Sequence, residues 1–161
     1  MTVPQLQIID AIEDRLKLIK TSNEHTFTVS RVKRATLKPF IDDDLPAINY
    51  WPEGDQQIEK KYNWVDRTLS VVIECYDRTR DKVFTDVAFE LSSAVMTTLL
   101  RSVADPKVSD DPDPTLGGLI KSIEFVTITP QIGEGQTPWC GVILNCAFNY
   151  RVAANNPMTI I

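Results

Sequence analysis

Trp139-Cys140-Gly141-Val142-Ile143-Leu144-Asn145-Cys146-Ala147-Phe148-Asn149-Tyr150-Arg151-Val152 is the stretch that decides the fold. It alternates with period two, so Cys140, Val142, Leu144, Cys146, Phe148, Tyr150 and Val152 share one face. Trp139, Gly141, Ile143, Asn145, Ala147, Asn149 and Arg151 point the other way. A second clear strand spans residues 68–76. Leu69, Val71, Ile73 and Cys75 lie on one face, and Val72 makes the other partly apolar, as a central strand requires.

Working outward, residues 120–129 read as another strand and 131–136 as its connection to the long one. Upstream, residues 26–33 alternate with Phe27 and Val29 on one face. A short strand over 47–51 follows Leu45-Pro46, where a proline costs no ladder bond. Pro52-Glu53-Gly54-Asp55 is a turn signal and 56–61 a polar run, before Tyr62, Trp64 and Val65 restore alternation. This predicts a long hairpin whose tip and arm are mobile in the isolated protein.

Two segments carry helical periodicity instead. In residues 3–20, Leu6, Ile9, Ile12, Leu16 and Ile19 recur at steps of three and four, with Pro4 placed in the first turn. In 82–103, Ala88, Leu91, Val95 and Leu99 form the stripe, with Phe84 and Val87 in support. Asp81 or Thr85 is the expected cap, and the helix should end near Ala104-Asp105-Pro106. The acidic, proline-bearing loop 109–114 should be exposed. Helix, three or four strands, helix, two strands is the order of an α+β domain: a mostly antiparallel sheet with both helices packed on one face. Residues 1–152 make that single domain, and 153–161 form a C-terminal tail without pattern, read as a disordered end.

The chain has 161 residues, 43% hydrophobic and 24% charged, values that fit one globular domain. No apolar run approaches the ~20 residues that span a bilayer. The N-terminus lacks the basic and apolar regions of a signal peptide, so an intracellular setting is expected. A formal charge of −5 argues against a nucleic-acid-binding protein with a broad basic face. Cys75, Cys140 and Cys146 each fall in a strand and read as buried small hydrophobes. Cys140 and Cys146 stand roughly 20 Å apart along one strand at ~3.3 Å per residue, too far to bridge.

Nothing in the sequence reads as an active site. His25 is the single histidine, and no nucleophile motif accompanies it. Asp42, Asp43 and Asp44 are consecutive, so their carboxylates diverge. Asp110, Asp111 and Asp113 alternate better, but Pro112 and Pro114 stiffen the loop wrongly for a calcium motif. Walker, GxGxxG and CxxC patterns are missing, and no cofactor is expected. Arg31, Lys33, Arg34 and Lys38 form the one basic cluster, which reads either as a solvated strand end and loop or as a contact surface for a partner protein or DNA.

The order of elements resembles the phage tail terminator proteins, the minor tail protein U type of lambda-like and related phages. The resembling pieces are Thr26-Phe27, Asp44-Leu45-Pro46-Ala47-Ile48-Asn49-Tyr50 and Leu69-Ser70-Val71-Val72-Ile73-Glu74-Cys75-Tyr76. They continue with Leu119-Ile120-Lys121-Ser122-Ile123 and the closing strand to Phe148-Asn149-Tyr150-Arg151-Val152. They run in order from about residue 5 to 152, with 56–64 and 108–114 left unaligned.

The resemblance implies a non-enzymatic subunit of a hexameric ring. Such a ring sits on the head-proximal end of the tail tube, assembled in the host cytoplasm and carried in the virion tail. It halts tube polymerisation and presents a surface to the head–neck connector. Its expected partners are copies of itself, the tube protein and the connector, with DNA passing through the lumen unbound and no membrane involved. A closed ring needs heterologous contacts, one patch meeting a different patch. Candidates for such contacts are the arm around Tyr62 and Trp64 and the segment from Leu116 to Leu119. The acidic balance would keep the lumen from gripping DNA, which places Arg31, Lys33, Arg34 and Lys38 at a protein interface or on the outside. Another tail-completion or neck protein, or a small enzyme with a pocket of convergent polar groups, are the alternative readings.

Overall fold

The long alternation is realised as a central strand, β5 (Trp139–Ala153), hydrogen-bonded along one side to β3 (Trp64–Arg78) and along the other to β4 (Ser122–Ile132). The computed structural model describes residues 3–79, 81–104, 112–133 and 139–161. Its other elements are α1 (Pro4–Leu16), β1 (Arg31–Arg34), β2 (Ala47–Lys60), α2 (Phe84–Leu99) and β6 (Asn156–Ile160). The sheet order is β1-β2-β3-β5-β4, with β6 pairing β5 beyond the end of β4. All pairings are antiparallel except β1 with β2. This is an α+β fold with a strongly curled sheet.

Pleat geometry decides which residues form the core. Register sets Leu69, Val71, Ile73 and Cys75 of β3 beside Phe148, Cys146, Leu144 and Val142 of β5. All eight are buried, as are Ile48 and Tyr50, which β2 adds to the same face. Both helices cover that face. From α1 it receives Ile8, Ile9, Ile12 and Leu16, and from α2 Ala88, Leu91, Val95 and Leu99. Ile8 rather than the exposed Leu6 completes the α1 stripe, because burial follows steps of one, three and four from Ile8.

Several expectations need correction. The Pro52–Asp55 segment is not a turn: β2 runs on to Lys60, and the extra residues are absorbed by bulges between Pro52 and Gly54 and between Gln57 and Glu59. The physical reason is that β1 covers only residues 47–50 of β2. Beyond Tyr50, β2 is an edge strand, where proline and charged residues are tolerated and alternation is not needed. The expected first strand shrinks to β1 and runs parallel to β2. The C-terminal segment is no loose tail; it folds back as β6, with Val152 beside Ile160. The N-cap of α2 is Val83, with no side-chain cap, and the helix ends at Leu99. Asp105, Pro106, Ser109, Asp110, Asp111 and the connection 134–136 lie outside the described residues.

Candidate interaction surfaces

With both helices on one face, no α-helix among the described residues covers the other face of the sheet. At one end a cavity of about 430 Å³ opens over it, roofed by residues 36–45. Its apolar wall is a row of rings. Tyr76 of β3 lies 5.6 Å from Trp139 of β5, edge-on, and 5.9 Å from Phe40 of the roof. Gly141 makes the Tyr76 placement possible: a Cβ there would meet the Cys75 carbonyl at 2.5 Å and the Tyr76 ring at 3.2 Å. The polar groups of the cavity are largely committed. The Tyr76 hydroxyl donates to Glu74, and burial together with that carboxylate raises the phenol's pKa. Arg78 pairs with Asp42 at 3.1 Å, but its Nε is buried without a hydrogen-bond partner.

The same face turns polar toward the start of β3. Asn149 accepts from Thr68 Oγ1 at 2.5 Å and donates to Ser122 and Glu124. Asp66 accepts from Arg151 at 2.7 Å and from Lys121 at 2.9 Å. These two cations, Arg151 foremost, hold the carboxyl pKa at about 2. The Arg151 guanidinium lies 3.6 Å above the Trp64 ring. Trp64 is therefore half-buried within its own chain, whereas Tyr62, at the tip between β2 and β3, is fully exposed. Exposed apolar residues also mark both open edges: Ile58 on β2, and Val126 and Ile132 on β4.

The basic cluster is not one patch. β1 alternation sends Arg34 to the helix side, where it meets Asp10 at 3.1 Å, and Arg31 to the other side, where it meets Asp44 at 2.9 Å. Lys33 is exposed, and Lys38 lies at the aromatic cavity. Leu116 is not an exposed contact: at 4% exposure it belongs to the core, and Leu119 packs partly against it. The three aspartates form a short 3-10 turn whose carboxylates diverge to Arg78, to solvent and to Arg31. No group of three metal-ligating side chains occurs among the described residues. His25 lines a shallow depression with Phe89, Thr97 and Arg101, and no cysteine reaches it. Burial and Arg101 lower its pKa. All three thiols are free and buried, and burial raises the pKa of Cys140 to about 11 and of Cys146 to about 12.

Two further constellations escaped the sequence. Asp55, between the two bulges of β2, accepts from Gln5 at 2.6 Å, Tyr150 at 2.9 Å and Arg67 at 3.0 Å, tying α1 to the sheet. Arg15, 1% exposed, pairs with Asp113 at 2.6 Å beneath the end of α2. No helix among the described residues is long and apolar enough to cross a membrane. No protein-family model matches this chain, and no curated protein matches it either.

Proposed function

We propose that this chain is a phage or prophage tail terminator, the subunit of a hexameric ring that caps the head-proximal end of the tail tube. The ring stops tube polymerisation and offers its far surface to the head–neck connector. One observation carries this reading: a single α+β domain presents unlike surfaces at opposite ends of its longest hairpin, an exposed tip at residues 61–63 and an aromatic cavity at the start of β2 and the end of β3. Self-association through unlike surfaces is heterologous, and heterologous contacts close into rings when the rotation permits. The two open sheet edges, β2 beyond Tyr50 and β4, give neighbouring copies further unlike surfaces to bring together.

The basic residues bear on how DNA would pass. Arg31 and Arg34 are each paired with an aspartate of their own chain, which weakens the hold this cluster would have on a phosphate backbone, while Lys33 and Lys38 have no ion pair among the described residues. Light scattering at low and high concentration, followed by negative-stain imaging, tests the proposal. Six copies of an 18.2 kDa chain give a ring of about 109 kDa with a central hole. A chain that stays monomeric at every concentration and also fails to bind the ends of tail tubes would defeat it.

A further inference from the structure

We infer that Tyr62 of one copy seats in the aromatic cavity of the next, making this the contact that builds the ring; the inference rests on the ring reading above. Tyr62 is a large aromatic side chain, fully exposed at a hairpin tip. The cavity is walled by Phe40, Tyr76 and Trp139, rings suited to edge and offset packing against another ring. Its volume of about 430 Å³ admits such a side chain with neighbouring tip atoms. Arg78 also lines the cavity, where its guanidinium is held by Asp42 at 3.1 Å.

The charges around the two surfaces also match. Lys61 at the tip pairs with Glu59 at 2.6 Å, and Lys60 has no ion-pair partner among the described residues. Beside the cavity, Asp42 and Asp44 are engaged by Arg78 and Arg31, while exposed Asp43 between them has no partner among the described residues. Lys60 and Asp43 therefore form the complementary pair flanking the aromatic anchor. A chain cannot fill its own cavity. The tip precedes Trp64 and the cavity uses Tyr76 and Arg78, and the 15-residue strand β3 puts about 14 residue steps between them. At ~3.3 Å per residue that is roughly 46 Å. Because tip and cavity differ, each copy offers one of each, and the contact repeats head to tail.

The test uses full-length chains. Leu37, fully exposed at the cavity, is changed to cysteine in one preparation and the exposed tip residue Asn63 in another, so that Tyr62 stays in place, and the two are mixed with a short bis-maleimide. The native cysteines are buried, so background labelling is low. A mixture of Leu6→Cys with Asn63→Cys is the control, because Leu6 is exposed on α1. Cross-linking of Leu37→Cys with Asn63→Cys is expected to exceed the control by about tenfold. By light scattering, Tyr62→Ala raises the concentration needed for assembly by at least about tenfold, and Tyr62→Phe by less. Asp43→Lys weakens assembly, and adding Lys60→Asp to the same chain restores it. A wild-type ring that survives Tyr62→Ala, with cross-linking no better than the control, overturns the inference and leaves the ring reading intact. A wild-type monomer with no cross-linking overturns the inference, and one that also fails to bind the ends of tail tubes overturns both.

Discussion

The Arg15–Asp113 pair offers the sharpest test of how the two helices are held. Arg15 is buried under the C-terminal end of α2, where its guanidinium donates to the Leu99 carbonyl at 2.5 Å and the Asp113 carbonyl at 2.7 Å. Its charge is met by the Asp113 carboxylate at 2.6 Å. That carboxylate also accepts from Thr115 N at 3.0 Å, Thr115 Oγ1 at 2.6 Å and Gly117 N at 2.8 Å, which shapes the turn into Leu116. Asp113→Ala would leave a buried guanidinium without its counter-charge. Breaking a buried pair from one side costs about 3–5 kcal/mol. Asp113 is itself 24% exposed, so water reaches its side of the pair and the lower half of that range applies. We expect a loss of about 3 kcal/mol, or a urea midpoint lower by roughly 1.5 M if the slope is about 2 kcal/mol per M. Arg15→Met together with Asp113→Ala should cost less than the two single losses added, because the stranded charge is gone. A loss below about 1 kcal/mol for Asp113→Ala, or simple additivity in the double variant, would refute the reasoning. Burial pushes the Asp113 pKa up, but Thr115, Gly117 and Arg15 outweigh it and hold it below the usual value. The stabilisation is therefore complete above the unfolded carboxylate pKa and is lost as pH falls through the folded one.

Three other outcomes follow from the same geometry. Tyr50→Phe removes the 2.5 Å bond to Glu13 from a fully buried ring and should cost about 1–2 kcal/mol in chemical denaturation; an unchanged midpoint would show that Lys17 alone satisfies Glu13. Asp66→Asn should lower stability by a constant amount near neutral pH. The gap to wild type should close as pH falls from the unfolded value of 3.8 through about 2, and a gap that does not vary with pH would sink this account. Gly141→Ala drives a methyl into the Cys75 carbonyl at 2.5 Å, so thermal unfolding should report a loss of about 1–3 kcal/mol, and a neutral change would mean that β5 shifts freely against β3.

The parts legible in sequence were those where one periodicity dominates. The faces of β3 and β5 and the stripe of α2 follow directly from it, because a residue's face is fixed by its place in a period of two or 3.6. β2 was not legible beyond Tyr50, since an edge strand exposed on one side has no apolar alternation to reveal it. β6 is equally silent: five residues held by pairing to β5 carry little pattern. Nothing local to Arg15 signals its burial, because the carboxylate that neutralises it, Asp113, lies far along the chain. Of the candidate contact residues, Tyr62 is exposed as expected, whereas Leu116, expected at a contact between copies, is core.

The aromatic cavity marks the divide between sequence and structure. The sequence determines, through alternation alone, that Tyr76 and Trp139 leave the core face, that the cysteines enter it, and that two amphipathic helices need that same face to bury their stripes. The fold class follows from these local rules. Only the tertiary structure decides that β3 and β5 pair in the register that sets Tyr76 opposite Gly141, and that residues 36–45 fold over them to bring Phe40 within 5.9 Å. The physical reason is range. Periodicity acts between residues a few positions apart, whereas a site is made by side chains that only sheet register and a long-range fold-back bring together.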